Sequence, residues 1–272
     1  MDEATTSRWP AGHRAALVLS FDIDGEYGVI NRYGADDWYW RSQATYDLET
    51  GIWRVLDILE DLDLQSTFCW VGRCAEDRPD AVQAAHQAGH ESSTHGWDHR
   101  YYRDMTRDEQ REDIQRTADA IASITGERPV GHKSPSWRFN EETVPALQEL
   151  GFLWNMDIAS RDLPYLHESG PDNYPLVQLP PSRLWEDYAF FVDQVVPPDD
   201  AYNSWREDID VIRAEGKLMC LTFHPWVIGR PAPSQALVHF LDYVISLGDV
   251  WIARADQVSR WWLDSTREAE TR

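Results

Sequence analysis

Ala15-Ala16-Leu17-Val18-Leu19-Ser20-Phe21-Asp22-Ile23-Asp24-Gly25 is the stretch on which the fold turns. Its mostly apolar first part is short enough for a strand buried on both faces, as strands of a parallel sheet are. The run then meets Asp22, Asp24 and Glu26. Carboxylates at the end of a buried strand are costly unless they are hydrated, paired or bound to a cation. Asp22 and Asp24, two residues apart on extended backbone, point the same way.

Working outward, short apolar runs alternate with amphipathic or capped segments. Further strands are expected at 66–70, 90–94, 129–133, 152–157, 176–179, 218–223 and 250–253. The stripe Ile52, Val55, Leu56, Leu59 predicts a helix over 48–61. Pro79 opens and Gly89 closes the next one. Thr106 and Glu109 form a capping box for a helix reaching Thr125, with Gly126 as its stop. Asn140 caps a helix ending at Gly151, and Ser204 with Glu207 reads as a second capping box for a helix ending at Gly216. Ser234 caps a helix closed by Gly248, and a last helix runs through Trp262. The aromatic segment 27–46, with Trp38-Tyr39-Trp40, has no clear period and reads as a loop or lid. Seven or eight strand–helix units without a linker or repeat predict one α/β domain over 1–272, a distorted (β/α)7–8 barrel, with an open doubly wound sheet as the alternative.

Composition narrows the function. The 272 residues are 42% hydrophobic and carry a formal net charge of −22. Such a chain repels phosphate backbones and anionic lipid, so neither nucleic acid nor a membrane surface is an expected partner. Three cysteines, Cys69, Cys74 and Cys220, form no disulfide framework, and Cys69 and Cys220 read as buried thiols within strands. The first residues hold no apolar leader and no run is long enough to span a bilayer, so a cytoplasmic protein is expected.

The unusual polar residues gather at expected strand ends. Asp22 and Asp24 end the first strand, His95-Gly96-Trp97-Asp98-His99 follows the third, Lys133 and Trp137 the fourth, Asp162 the fifth, and His224 ends the strand at 218–223. In a β/α barrel those ends converge on one face. Two imidazoles and one carboxylate suit a divalent ion and leave an open coordination position, the mark of a catalytic site. A second carboxylate can take a proton from water and a separate histidine can protonate a leaving amine. The expected chemistry is metal-assisted hydrolysis. The donors suit zinc first, with cobalt, nickel and manganese next. His13, His86, His90, His132, His167 and His239 have no such placement and read as structural or exposed.

At these residues the chain resembles the polysaccharide deacetylases of the NodB-homology, carbohydrate esterase 4 type, from about Ala15 to Trp261. Ser20-Phe21-Asp22-Ile23-Asp24-Gly25 is similar to the family's Thr-Phe-Asp-Asp-Gly with one residue inserted, a form that looks like the intracellular branch of peptidoglycan deacetylase-type proteins, metal-free allantoinases and cyclic imide hydrolases. The resemblance implies Asp22 as base and Asp24, His95 and His99 as metal ligands. Gly96 stands where the family has a hydroxyl residue. Lys133-Ser134-Pro135-Ser136-Trp137 is similar to Arg-x-Pro-x-Trp, with lysine in place of arginine. Asp162-Leu163-Pro164-Tyr165 resembles the branch's Asp-x-Pro-Tyr and implies a groove wall. Leu221-Thr222-Phe223-His224-Pro225 implies His224 as acid, followed by Trp226 and by Gly229-Arg230-Pro231 beside the site. Trp137 reads equally as core, Asp98 as a turn carboxylate, and Arg230 as the partner of a surface acid.

Because both His95 and His99 are kept, a metal enzyme is expected rather than a metal-free one. Two substrates remain open, a small amide or imide and an N-acetyl sugar of a glycan. The missing leader and the aromatic segment favour the small one. A catalytically inactive barrel used as a binding module is the third reading, opposed by the intact Asp22, Asp24, His95, His99 and His224. The aromatic segment could also complete a neighbour's site, which makes a homo-oligomer the expected assembly.

Overall fold

The structure is a computed structural model that describes residues 8–167 and 174–270. The first seven residues, on which part of the leader-free reading rests, lie outside the described residues. In chain order the elements are β1 (Ala15–Ile23), α1 (Gly25–Tyr33), α2 (Trp38–Tyr46), α3 (Ile52–Asp61), β2 (Thr67–Trp70), α4 (Gly72–Asp77), α5 (Pro79–Gln87), β3 (Glu91–Thr94) and α6 (Arg107–Thr125). There follow β4 (Gly131–His132), α7 (Thr143–Glu149), β5 (Trp154–Asn155), β6 (Tyr165–Leu166), β7 (Val177–Gln178), α8 (Pro198–Glu215), β8 (Leu218–Phe223), α9 (Pro225–Ile228), α10 (Pro231–Leu247), β9 (Val250–Ala253) and α11 (Ala255–Glu270).

The strands form one curled sheet in the order β6-β7-β5-β4-β3-β2-β1-β8, with β9 also on β1. Every pairing is parallel except β6 with β7. The result is an α/β half-barrel, in keeping with the expected distorted barrel of parallel strands.

All nine residues of β1 are buried, and their two faces enter different cores. Leu17, Leu19, Phe21 and Ile23 pack outward with Val55 and Leu59 of α3, Trp205 of α8 and Phe240 of α10. Ala16 and Val18 pack inward with Cys69, Trp154, Leu179 and Cys220. The pleat continues that inner row through Ser20 and Asp22, so the barrel interior turns from apolar to polar just where the strand ends. This alternation delivers the first carboxylate to the site.

The capping box at Thr106 and Glu109 opens α6 and Gly126 closes it with φ 78°. The second expected box does not exist. Pro198 occupies the first turn of α8, whose buried stripe Ala201, Trp205, Ile209, Ile212 begins before Ser204. Ser204 is therefore mid-helix, because proline sets the start. Ser234 likewise lies inside α10, behind Pro231, and its hydroxyl bonds back to the Pro231 carbonyl at 3.0 Å. The segment 27–46 is not a loop but the two short helices α1 and α2, the second capped by the Asp37 carboxylate on Trp40 N. Its period was hidden because the outward Trp38 and Tyr39 are exposed while Tyr33 and Trp40 stack on one another at 4.5 Å. A π-helical turn, Asp47–Gly51, takes the expected start of α3. The sequence reading also passed over α4 and the antiparallel β6.

Candidate active site

Four strand ends supply the site. Asp22 lies on β1, Asp24 just beyond it, His95 just beyond β3, Lys133 just beyond β4, and His224 just beyond β8. They line a single cavity of about 570 Å³ together with His99, Trp137, Trp226 and a ring of tyrosines and arginines.

Asp24 stands at its centre. Its Oδ1 lies 3.4 Å from His95 Nε2 and its Oδ2 3.5 Å from His99 Nε2. All three residues are buried, and their donor atoms lie within 4.8 Å of one another. Tetrahedral ligands held about 2.0–2.2 Å from an ion are separated by roughly 3.3–3.6 Å, so this spacing fits one. His95 Nδ1 is 2.7 Å from the Lys133 carbonyl, which can only accept. Nδ1 therefore carries a proton, which leaves Nε2 as the nitrogen His95 can offer to an ion. Asp24 Oδ1 is buried without a hydrogen-bond partner, as expected of an oxygen reserved for a cation. The residues fit a divalent ion. Burial favours a neutral Asp24, but His99, His95 and His224 outweigh it and hold its pKa well below the carboxylate range. Burial pulls His99 down to about 4, so it is neutral and ready to ligate.

The loop between the histidines is held from three sides. Trp97 N donates to Asp113 Oδ1 at 2.9 Å. Asn31 Nδ2 donates to the carbonyls of Asp98 and His99. Gly96 has φ 75°, and a Cβ there would sit 3.0 Å from Pro135 Cγ. The left-handed backbone and the close proline explain why this position lacks the family's side-chain hydroxyl.

Asp22 belongs to a second cluster. The Lys133 ammonium, only 1% exposed, donates to Asp22 Oδ1 at 2.9 Å, Thr222 Oγ1 at 2.8 Å and Ser20 Oγ at 3.3 Å. Three acceptors match its three protons. Burial alone would raise the Asp22 pKa, but Lys133 foremost, then His95 and His224, lower it, so Asp22 is ionised. His95 Nε2 is 3.7 Å from Asp22 Oδ2.

His224 faces the centre from the other side, its Nε2 3.9 Å from Asp24 Oδ2. Its Nδ1 lies 2.8 Å from Asp187 Oδ1, while Asp187 Oδ2 accepts the backbone N–H groups of His224 and Ile228. Burial would lower its pKa, but Asp187 outweighs it, aided by Asp24 and Asp22, and lifts it to about 10. An imidazolium with a bound counter-ion results. The sequence reading missed Asp187. Its signal was the acid pair Glu186-Asp187 set between Trp185 and Tyr188.

Trp137 and Trp226 line the cavity. Trp137 is fixed by its indole N–H on the Met156 carbonyl at 3.0 Å. Three expected site residues are not brought in. Asp162 is exposed, 3.6 Å from Lys217, and its carbonyl accepts Leu218 N at the start of β8, the opposite end from His224. The chain after β5 turns away from the strand-end face before reaching it. Tyr165 is on β6 under the Arg161 guanidinium and does not line the cavity. Arg230 lies over the Tyr46 ring at 3.8 Å and donates to the carbonyls of Trp226 and Gln43, tying α9 to α2 behind the cavity wall. Among the described residues it pairs with no acid. Among the described residues no helix is long and apolar enough to cross a membrane.

Comparison with known proteins agrees with this architecture. The family model described as Polysaccharide deacetylase matches residues 36–153. The crystal structure of a Mycobacterium smegmatis protein assigned as a polysaccharide deacetylase is 30% identical, with 95% of this chain and 93% of that one covered at a TM-score of 0.89. The structure of PuuE allantoinase is 27% identical, with 94% and 92% covered at a TM-score of 0.86. The peptidoglycan deacetylase of Helicobacter pylori (strain ATCC 700392 / 26695) is 25% identical over 253 residues, 79% of this chain and 85% of its own. With a relative of that family 30% identical and matched over nearly the whole length of both chains, the chain belongs to the polysaccharide deacetylase family.

Proposed function

We propose that the protein is a metal-dependent hydrolase of non-peptide C–N bonds acting on a small amide or imide, with Asp22 as base and His224 as acid. The observation that carries this reading is the placement of the Asp22 carboxylate 3.7 Å from His95 Nε2 and of His224 Nε2 3.9 Å from Asp24 Oδ2, both beside the Asp24–His95–His99 donor set. Asp24, His95 and His99 would hold the divalent ion, which when bound polarises the amide carbonyl and makes water more acidic.

The chain's own residues do the rest. Asp22, held by Lys133, accepts a proton from the attacking water. His224 gives its Nε2 proton to the leaving nitrogen as the C–N bond breaks. Asp187 keeps the opposite ring nitrogen protonated and the ring aimed inward. Water and amide become an acid and an amine; Asp22 then releases its proton to solvent and His224 takes one back, which restores both groups.

The cavity volume of about 570 Å³ lies within the range of small-molecule sites. One wall is aromatic: Trp40 lies edge-on to Trp226, which meets Tyr188, whose hydroxyl is 3.0 Å from that of Tyr33. Helix α1 lines that side of the cavity, and α2 backs it through Trp40; a pocket walled in this way disfavours a polymer. The second reading, N-deacetylation of a glycan, is favoured by the peptidoglycan deacetylase name of the Helicobacter relative.

The test is turnover of the metal-loaded protein on small cyclic amides and on N-acetylglucosamine oligomers. His95→Ala should lose both bound metal and turnover. His224→Ala should keep the metal and lose about 10²–10⁴ of the rate, the usual worth of a positioned proton donor. A fully active His95→Ala protein would overturn the mechanism.

A further inference from the structure

The rim of the cavity is cationic on a chain whose net charge is −22. Arg32, Arg138 and Arg183 all line it. Two of them have partners. Arg32 is 3.3 Å from Asp193 and lies over the Tyr188 ring at 4.8 Å. Arg183 pairs with the same Asp193 and with Glu186 at 2.9 Å. Deeper in, the Asp22 charge is already met by Lys133. The rim therefore holds three guanidinium groups against two carboxylates, and the excess cation is Arg138.

Arg138 differs from the others in two ways. Its side chain is exposed and has no carboxylate or hydrogen-bond partner among the described residues. Its backbone, by contrast, is fixed. It follows two residues with left-handed backbone, Ser136 (φ 52°) and Trp137 (φ 51°). Its N–H donates to the Pro135 carbonyl at 2.9 Å, and its carbonyl accepts Arg103 N at 2.7 Å. Two successive non-glycine residues in that region are costly and persist where the surroundings hold them, which is a feature of functional loops. A rigid turn thus presents an unpaired, planar, two-pronged donor at the mouth of the cavity, beside Trp137.

From this geometry we infer that the substrate carries a carboxylate in addition to the bond that is cut, and that Arg138 is the residue that recognises it. The guanidinium fork matches a carboxylate in a bidentate pair. The cationic rim also draws an anion towards a protein that otherwise repels it. The inference rests on the proposed hydrolysis for its setting, yet it can be read by binding alone.

The experiment measures dissociation constants by calorimetry for pairs in which one member carries an added carboxylate: dihydrouracil with dihydroorotate, and N-acetylglucosamine with N-acetylmuramic acid, whose carboxylate comes on a lactyl ether. N-acetylglucosamine 6-phosphate serves as a phosphate-bearing probe. In at least one pair the acid should bind about ten-fold tighter or more, the worth of one charge-assisted bidentate contact. Arg138→Gln should bring that ratio close to one, Arg138→Lys should restore part of it, and the melting temperature should not move. Equal binding within both pairs, failure of both acids to bind, a ratio unchanged in Arg138→Gln, or phosphate preferred to carboxylate would each overturn the inference. Turnover is read on the same samples. Selective binding without hydrolysis would count against the proposed reaction and leave carboxylate recognition standing.

Discussion

Lys133 shows how much one residue can carry. It stands where the family has arginine, and the pocket around it is built for an ammonium: Ser20 and Thr222 are directly opposed in the β1–β8 register, and with Asp22 they take its three protons. Lys133→Met leaves Asp22 buried without its cation. Breaking a buried pair from one side typically costs about 3–5 kcal/mol, so a marked drop in melting temperature is expected. Without its main lowering influence the Asp22 pKa rises, so the acid limb of kcat/KM should move to higher pH. An unmoved acid limb would show that Asp22 does not depend on Lys133. His224 gives the opposite limb. Its pKa, lifted from 6.5 to about 10 in the metal-free protein, means that its proton stabilises the fold fully below pH 6.5. That contribution is lost as the pH rises through about 10. In Asp187→Asn the main raising influence is gone. The alkaline fall in stability of the metal-free protein should then begin nearer neutrality, as thermal melts across pH would record.

At the scale of elements, close backbone contact positions the acid. Gly51, in the π-helical turn before α3, faces the start of α9, where a Cβ would lie 2.2 Å from the Pro225 carbonyl oxygen. A Cβ on Gly229 would meet the same oxygen at 2.3 Å and the Cα of Gly51 at 2.8 Å. The two glycines let the turn and α9 touch, and α9 begins at the residue after His224. Gly51→Ala must push them apart. A loss of about 1–3 kcal/mol, the usual range for overpacking, is expected. It should come with a fall in kcat larger than any change in KM, since the acid and not the substrate wall is displaced. Wild-type kcat in a destabilised Gly51→Ala protein would separate this contact from His224.

For the whole molecule, the decisive fact is that strands far apart in sequence end together. Asp24 and His99 come from the first half of the chain, His224 from the last quarter, and Asp187 from an irregular stretch between β7 and α8. Binding of an ion to Asp24, His95 and His99 in the folded state alone should therefore raise the melting temperature. Free Zn²⁺ at about 100 times its Kd adds about 2.7 kcal/mol of stability. A chelator should reverse the shift and His95→Ala should abolish it, as thermal melts with and without metal would show. An equal shift in His95→Ala would place the ion elsewhere.

The sequence by itself determined the run of buried strands, the capped α6 and which acids and imidazoles stand at the strand ends. These rest on local rules: a buried strand must be apolar, a helix start must satisfy its free N–H groups, and a carboxylate or imidazole at a strand end in an α/β chain faces the common mouth. Asp22, Asp24, His95, His99 and His224 were legible for that reason. Only the tertiary structure decided the rest. It turned the chain after β5 so that Asp162 leaves the site, folded 27–46 into α1 and α2, of which α1 lines the cavity, and tied Arg230 behind the wall instead of at it. It also brought in Asp187, which no spacing marked, because its partner is 37 residues away and the contact exists only once β8 is in place. Local pattern registers which side chains a segment buries. It does not register which distant charge will be waiting there.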